Sequence, residues 1–489
     1  LKDQRLRNTA GFERDGSVTI GYKGYNFHTE LKLTDSYSKS GFFANAHGLE
    51  VRLSSIDYDK SRRNIDLPYQ SVNHLKVMSH TVYQQGALAL EANLAYQNNH
   101  RKELSEPISH GYMPTPPNTL EREFKKDTYT ANIMMRLALN EQHMLSAGIN
   151  GEYQHNRRNG WGFIIPDFET TSFGAYAFDR YTIKKDLILN AGVRYDHVTT
   201  NIHSYNDWFK TPINTTDSVY KQRSQDLHRS FNSLTWSAGI NYAMGNWILK
   251  ANIGKSFRVP IPKELGTDGI NYHIFRYEKG NPTLNPEESY QLDLGLRWGN
   301  DKVTVQFDTY LNYFPNYIYM NPTPNYYEGL QWYYYTQSRV IRSGFELQAN
   351  WKICPFLSAE AKGEYLYAEQ LSGEKKGYTL PFSTPWSADM TLKYDYCQQK
   401  VGNEGFVALN FHVVGRQNNI VPPEKPTPGY YTLNLSAGKD FAFGDKKLHL
   451  SLNAENLLNR KYYDHTSFYR LIDVPEPGRN VALMAGFEF

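Results

Sequence analysis

The chain has 489 residues, with 53 Lys+Arg against 50 Asp+Glu, and no Lys/Arg-rich run of the kind that tracks a nucleic-acid backbone. No apolar stretch approaches the roughly 20 residues of a membrane-spanning helix, which excludes a helical membrane protein. A mean hydropathy of -0.63 beside 15% aromatic residues is unusual for a soluble domain and suits a barrel with one polar surface.

The chain starts at Leu1-Lys2-Asp3-Gln4, without Met or a signal region, so any targeting peptide is expected to lie outside this sequence. From Ser17 to Phe489, period-2 alternation broken by Gly/Pro/Asn/Asp turns gives roughly 19 candidate strands of about 9 to 11 residues. Long polar connections are expected at Gly41 to Tyr69, Glu103 to Lys126, Asn201 to Ser230, Pro260 to Pro286 and Arg460 to Gly478. They alternate with short ones such as Met244-Gly245-Asn246 and Gly299-Asn300-Asp301.

Three strands show the alternation well. In Trp247 to Ile253, Leu249 and Ala251 oppose Lys250 and Asn252; in Lys302 to Asn312, Val303, Val305 and Phe307 oppose Thr304, Gln306 and Asp308. In Lys447 to Glu455, Leu448, Leu450, Leu452 and Ala454 share one face. The fold class expected is therefore all-β, a transmembrane antiparallel β-barrel over residues 1–489. A soluble β-propeller or a large sandwich is the competing architecture, but a propeller's repeat of roughly 40 residues is absent. Plugged transporter barrels have about 22 strands, so about three are expected before Leu1.

Candidate ligand residues fall on the long loops. His47 (Ala46-His47-Gly48) and His110 (Ser109-His110-Gly111) come first. His273 follows, between Phe257-Arg258-Val259-Pro260 and Asn281-Pro282-Thr283-Leu284, with Tyr272 and Tyr277 beside it. Imidazole can ligate haem iron or a divalent metal, and tyrosine can add an oxygen ligand or stack on a porphyrin. The alternative has Arg258 and Pro260 ending a strand and His273 simply solvated on its loop. Further on, Tyr326 to Tyr335, with Trp332 and Tyr333, is dense enough in rings to grip a flat ligand or to form an interfacial belt. His74, His80 and His449 read as lumen or interface residues. Cys354 and Cys397 form no C-x-x-C pair, Gly254-Lys255-Ser256 lacks the first glycine of a phosphate loop, and no catalytic motif is present, so no enzyme is expected.

The run Ala454-Glu455-Asn456-Leu457-Leu458-Asn459-Arg460-Lys461-Tyr462-Tyr463-Asp464 resembles the penultimate-strand motif of TonB-dependent receptors. Pro475-Glu476-Pro477-Gly478-Arg479-Asn480 with a final strand ending in Phe489, Gly192-Val193-Arg194-Tyr195-Asp196 and Ser343-Gly344-Phe345-Glu346 resemble that family too. Gly11-Phe12-Glu13-Arg14, Phe42 to Gly48 and Ile65 to Gln70 look like Bacteroidetes-type members. The boxes around His273 resemble those of haem receptors, except that Val259 stands where Ala is usual.

The resemblance implies a multi-pass barrel in the outer membrane of a Gram-negative bacterium, partnered by the lipid bilayer, a plug domain or plug-bearing polypeptide and the TonB complex acting through the plug, and it leaves open whether a surface lipoprotein caps the barrel. It implies TonB-dependent uptake of a metal chelate, haem or iron-siderophore ahead of zinc or cobalamin, with no intrinsic cofactor. A non-transporting scaffold that binds a partner protein is the second class of function, and an outer-membrane enzyme the third.

Overall fold

The structure, a computed structural model, describes residues 8–43, 63–109, 111–396 and 404–488. Its strands are β1 (Gly11–Lys23), β2 (Phe27–Gly41), β3 (Tyr69–Gln85), β4 (Leu88–Leu104), β5 (Leu120–Ala138), β6 (His143–Asn159), β7 (Phe168–Lys184) and β8 (Leu187–Ile202). The hairpin β9 (Tyr205–Pro212) and β10 (Ser218–Ser224) precedes β11 (Leu227–Met244) and β12 (Trp247–Arg258). Helix α1 (Pro262–Gly266), β13 (Asp268–Asn271) and β14 (Arg276–Lys279) lead to β15 (Glu287–Gly299), β16 (Val303–Tyr327) and β17 (Leu330–Cys354). The chain continues through β18 (Leu357–Gln370), β19 (Ser387–Tyr396), β20 (Gly405–Val414), β21 (Tyr430–Phe443), β22 (Lys446–Glu455) and β23 (Asn480–Glu488).

One sheet holds 21 of these strands, and setting aside the short loop strands β13 and β14 leaves the 19 that form the wall. Neighbours in the wall are antiparallel and consecutive, which rules out a propeller. Short turns lie at one end and long connections at the other. Both β1 and β23 run from the long-loop end to the short-turn end, and among the described residues each pairs on one side only.

The alternation sorts side chains as a membrane requires. Between β12 and β15, Trp247 faces Trp298, Leu249 faces Leu296, Ala251 faces Leu294 and Ile253 faces Leu292. The same register places Asn252 opposite Asp293 on the other face. Apolar residues of the first set, such as Leu249 and Ile253, are exposed on the outside of the sheet. Polar partners meet inside: Arg194 donates to Asp196 through Nε at 2.7 Å and to Asn150 through Nη2 at 2.7 Å. His80 and His449 are polar-paired likewise, with Asn93 at 2.7 Å and Asp440 at 2.8 Å.

The buried apolar clusters lie at the long-loop end. One gathers Ile270, Tyr272, Phe275, Tyr277, Leu330, Ile472 and Val474; a second Phe168, Leu265, Leu284, Ile318 and Tyr335. The connections there fold into a cap. This corrects several loop expectations. Strands β16 and β17 reach 25 residues each because they continue past the bilayer into the cap. Glu103 to Lys126 is strand at both ends, since β4 and β5 stay paired to Leu104 and Leu120. Asn201 to Ser230 contains the β9–β10 hairpin, and Pro260 to Pro286 holds α1, β13 and β14. Trp332 to Tyr335 form no interfacial belt: Tyr333 and Tyr335 are buried in the cap.

The C-terminal motif acts as a rim clamp. Asn456 and Asn459 take positive φ, and the Asn456 side chain donates to the Arg460 carbonyl at 2.9 Å while accepting from the Arg460 N–H at 2.8 Å. The Asn459 side chain accepts from the Arg479 N–H at 3.0 Å, and Tyr430 donates to Asp464 at 3.1 Å. Glycine at 344 is required because a Cβ there would strike the Tyr365 carbonyl and the Tyr310 ring.

Candidate functional site

Two constellations in the cap merit a chemical reading. The first is built on the paired outer ends of β4 and β5, above the lipid band, where the register sets Glu103 opposite Arg122. Arg122 is fully enclosed and donates to Glu103 Oε2 at 2.9 Å, lies 2.7 Å from Glu121 Oε1, and donates to the Ile270 carbonyl at 2.9 Å. Arg101 also pairs with Glu103, and Ser105 donates to Glu121. Burial alone raises a carboxyl pKa, yet Arg122 and Arg101 outweigh it and hold Glu103 below the usual range.

His273 enters this knot from the β13–β14 connection, with Nε2 at 3.9 Å from Glu103 and 3.7 Å from Glu121. Its ring stacks on Phe42 at 4.0 Å, and its side chain is only 8% exposed. The solvated reading of this histidine is therefore overturned. Glu103, Glu121 and His273 could each offer one ligand atom within 4.8 Å of the others. Arg122 and Arg101, however, already supply two positive charges against these two carboxylates, so the knot is electrically closed by the protein's own charges.

The boxes flanking His273 serve the same anchoring. Arg258 donates to both oxygens of Glu264 at 3.0 and 2.8 Å and to Glu287 at 3.3 Å, tying α1 to the wall. The Asn281 N–H donates to the Glu264 carbonyl at 2.7 Å, and Leu284 is buried. Glycine at 269 lets the segment press against the Phe163 carbonyl, which any Cβ would strike. Tyr277 donates to Asp268, beside Arg223, and lies across Trp332 at 5.3 Å. Burial, then the Asp268 charge, pushes the Tyr277 hydroxyl well above its ordinary pKa. The space between Trp161, Asp207, Tyr272 and Tyr327 amounts to about 50 Å³, room for a few waters.

The second constellation is an open cleft of about 560 Å³, between the β16–β17 tip and the connections before β21 and β23. Phe275, Tyr326, Tyr333 and Tyr463 supply rings, and Lys425 and Arg470 supply positive charge. The Arg470 side chain is 9% exposed; it donates through Nη1 to the Lys425 carbonyl at 3.2 Å and lies 4.0 Å from Glu424. Its Nε and Nη2 find no hydrogen-bond partner among the described residues. Buried donors left in this way cost stability unless an anion takes them.

Of the residues singled out in the sequence, the cap brings together Tyr272, His273, Tyr277, Trp332 and Tyr333; β14 pairs in parallel with β17, setting Tyr277 beside Trp332. Only Tyr333 of these lines the cleft. His47 and His110 lie outside the described residues. Glu103, Glu121 and Arg122 gave no signal, because charged residues at strand ends read as loop. Arg470 gave none either, its role depending on three connections converging.

The family model described as TonB dependent receptor-like, beta-barrel matches residues 2–457. Among solved structures, "Copper transporter OprC" superposes with a TM-score of 0.75 at 15% identity, covering 96% of this chain and 71% of that one. The FrpB iron transporter from Neisseria meningitidis gives 0.70 at 16% identity, with 98% and 72% covered. The ferric-catecholate import receptor Fiu from E. coli K12 gives 0.71 at 14% identity, with 99% and 76% covered.

Proposed function

Since this chain belongs to the TonB-dependent receptor-like β-barrel family, we propose that it is an outer-membrane receptor of a Gram-negative bacterium that takes up an anionic metal chelate and carries out no catalysis. The carrying observation is Arg470, a nearly buried guanidinium beside a ring-lined cleft, whose Nε has no hydrogen-bond partner among the described residues and whose Nη2 has only a long 4.0 Å ion pair with Glu424. Guanidinium suits carboxylate, catecholate and other planar oxyanions, and the tyrosines of the cleft offer flat faces to an aromatic chelate. An iron-siderophore complex fits this chemistry better than haem, because His273 is shielded by Phe42 and held beside two carboxylates. Energy for passage would come from TonB acting through a plug in the lumen, the arrangement usual in the family. The iron and copper transporters of similar fold are consistent with this ligand class.

The test is binding of ferric catecholate, ferric carboxylate and haem to the purified protein by fluorescence quenching. An oxyanionic ferric chelate should bind best, and Arg470→Ala should weaken it about ten-fold or more, the effect of losing hydrogen bonds to a charged group. Equal affinity in Arg470→Ala, or haem binding lost in His273→Ala, would reject the cleft as the capture site.

A second reading has one observation in its favour: the ligand atoms of Glu103, Glu121 and His273 lie close enough for a bare divalent cation. It requires Arg122 to leave both carboxylates, so metal binding should improve in Arg122→Ala. Calorimetric titration with Zn²⁺ reads this directly.

A further inference from the structure

Across the outside of β4, β5 and β6 the paired residues form rows whose chemistry changes with height. In the lipid band Leu94, Ile133 and Ile149 are exposed. Above them Tyr96, Tyr129 and Tyr153 stand side by side in register, with ring centroids 5.0 and 6.3 Å apart, as an interfacial belt does. The next row toward the long-loop end is Asn98, Asp127 and His155, then His100, Lys125 and Arg157, then Lys102, Glu123 and Asn159. On β1 and β2 the same rows carry Arg14, Asp35 and Lys39.

The cations stand outermost and the carboxylates are tucked beneath them. Glu123 is approached by His100 Nε2 at 2.7 Å and by Lys102 and Lys125 Nζ at 3.8 Å each, and Asp127 by Arg157 Nη2 at 3.4 Å. The Glu123 and Asp127 side chains are 10% and 15% exposed, whereas those of Lys102, Lys125 and Arg157 are 42%, 49% and 61% exposed. Lys39 lies over the Tyr69 ring at 3.9 Å and Arg14 over the Tyr37 ring at 5.4 Å. Arg14, Lys39, Lys102, Lys125 and Arg157 thus stand against Asp35, Glu123 and Asp127, and the outermost shell is positive. Glu169, paired with His155, bounds it on β7.

Height on the wall does not by itself produce such a patch. On β16, β17 and β18 the rings of Phe307, Phe345 and Tyr365 make the corresponding contacts at 5.9 and 6.1 Å. Above them come Leu311, Ser343 and Tyr367, then Tyr313, Ile341 and Glu369, with no cation in either row.

We propose that the patch on β1 to β6 is a docking surface for a phosphorylated glycolipid of the outer leaflet. Long connections face the outside in barrels of this kind, so the patch lies at the headgroup level of that leaflet. Lys102, Lys125 and Arg157 meet one phosphate, Lys39 and Arg14 another, and the acyl chains run down past the tyrosines over Leu94, Ile133 and Ile149. That order is the order of the lipid, with phosphates outermost and chains innermost. The span also selects a broad headgroup: β2 and β6 are four strand spacings apart, roughly 19 Å, more than a single phosphodiester covers. The proposal rests on the membrane-barrel reading and is independent of the chelate.

The experiment is native mass spectrometry of the detergent-purified full chain after exchange with bis-phosphorylated lipid A, with lipid A stripped of its phosphates, or with phosphatidylglycerol. Heat-modifiable migration on gels first confirms that each preparation is a folded barrel, so failure of the membrane reading is detected separately. Wild-type protein should retain bis-phosphorylated lipid A in preference to the other two. Lys102→Gln, Lys125→Gln and Arg157→Gln together should reduce that retention about ten-fold or more, in line with the loss of three basic contacts to an anionic headgroup. Lys23→Gln, Lys184→Gln and Lys185→Gln together, which remove equal charge at the short-turn rim, should leave it unchanged. Equal retention by the first triple variant, an equal loss in the second, or either of the other lipids held as tightly would each overturn the assignment.

Discussion

The wall and the cap are built from the same strands but obey opposite rules. In the wall Leu249, Ile253 and Leu292 point away from the protein, and polar residues such as Asn252 and Asp293 turn toward the lumen. In the cap Leu265, Leu284 and Val340 point inward, and charged residues such as Arg122 and Glu278 are enclosed with partners. Strands β16 and β17 pass from one regime to the other within a single pairing. The difference teaches that alternation sets which residues share a face, while the surrounding medium sets which face is buried. The two regions should therefore fail separately.

The largest effect is expected at Arg122. Removing it by Arg122→Ala strands Glu103 and Glu121 in an enclosed site, a loss of about 3–5 kcal/mol. Hydrogen exchange should rise through residues 259–286 while heat-modifiable migration of the barrel is unchanged. Adding Glu103→Gln and Glu121→Gln should restore much of the protection. Unfolding of the whole barrel by Arg122→Ala would break the comparison.

The wall has its own counterpart in Leu249→Arg, a charge on the lipid face, which should cost about 2–4 kcal/mol if that face lies near mid-bilayer. Folding titrations into lipid vesicles measure it, and cap protection in the folded fraction should not change. Smaller again is Tyr277→Phe, which removes the hydroxyl donor to Asp268 and leaves the ring against Trp332. Leaving Asp268 short of a donor should cost about 1–3 kcal/mol, read as faster exchange in β13 and β14 alone.

The wall was legible because bilayer physics writes itself residue by residue: Leu448, Leu450, Leu452 and Ala454 each meet an apolar partner on β23. Asn456 and Asn459, in the C-terminal run that resembles the family motif, take the positive φ that turns the chain at the rim. The cap was much less so. Glu103 and Arg122 continue the strand pairing beyond the lipid, where no apolar alternation marks it, and the segment reads as loop. His273 stood out by residue type, but its enclosure depends on Phe42, Glu103 and Glu121 arriving from distant connections. Arg470 had no local mark at all, since its unused donors are a property of the assembled cleft.

The smallest effect, and the one that separates the regions by pH alone, is at His465. This imidazole is buried in the last long connection, with Nδ1 2.8 Å from the Thr427 hydroxyl and Nε2 without a partner among the described residues. Burial first, and then the nearby Arg470, lower its pKa from 6.5 to about 4. The unfolded segment therefore takes up a proton near pH 6.5 and the folded one only near pH 4. Stability from the neutral imidazole is fully present above pH 6.5 and is lost as pH falls from there toward 4. Exchange in residues 456–479, corrected for the intrinsic pH dependence of amide exchange, should rise several-fold between pH 7 and pH 5, and His465→Gln should flatten that rise. In the wall, His80 and His449 are partly exposed and carry polar partners facing the lumen. A rise of equal size in β3 or β22 would mean that acid loosens the barrel as a whole, and that cap and wall titrate as one body.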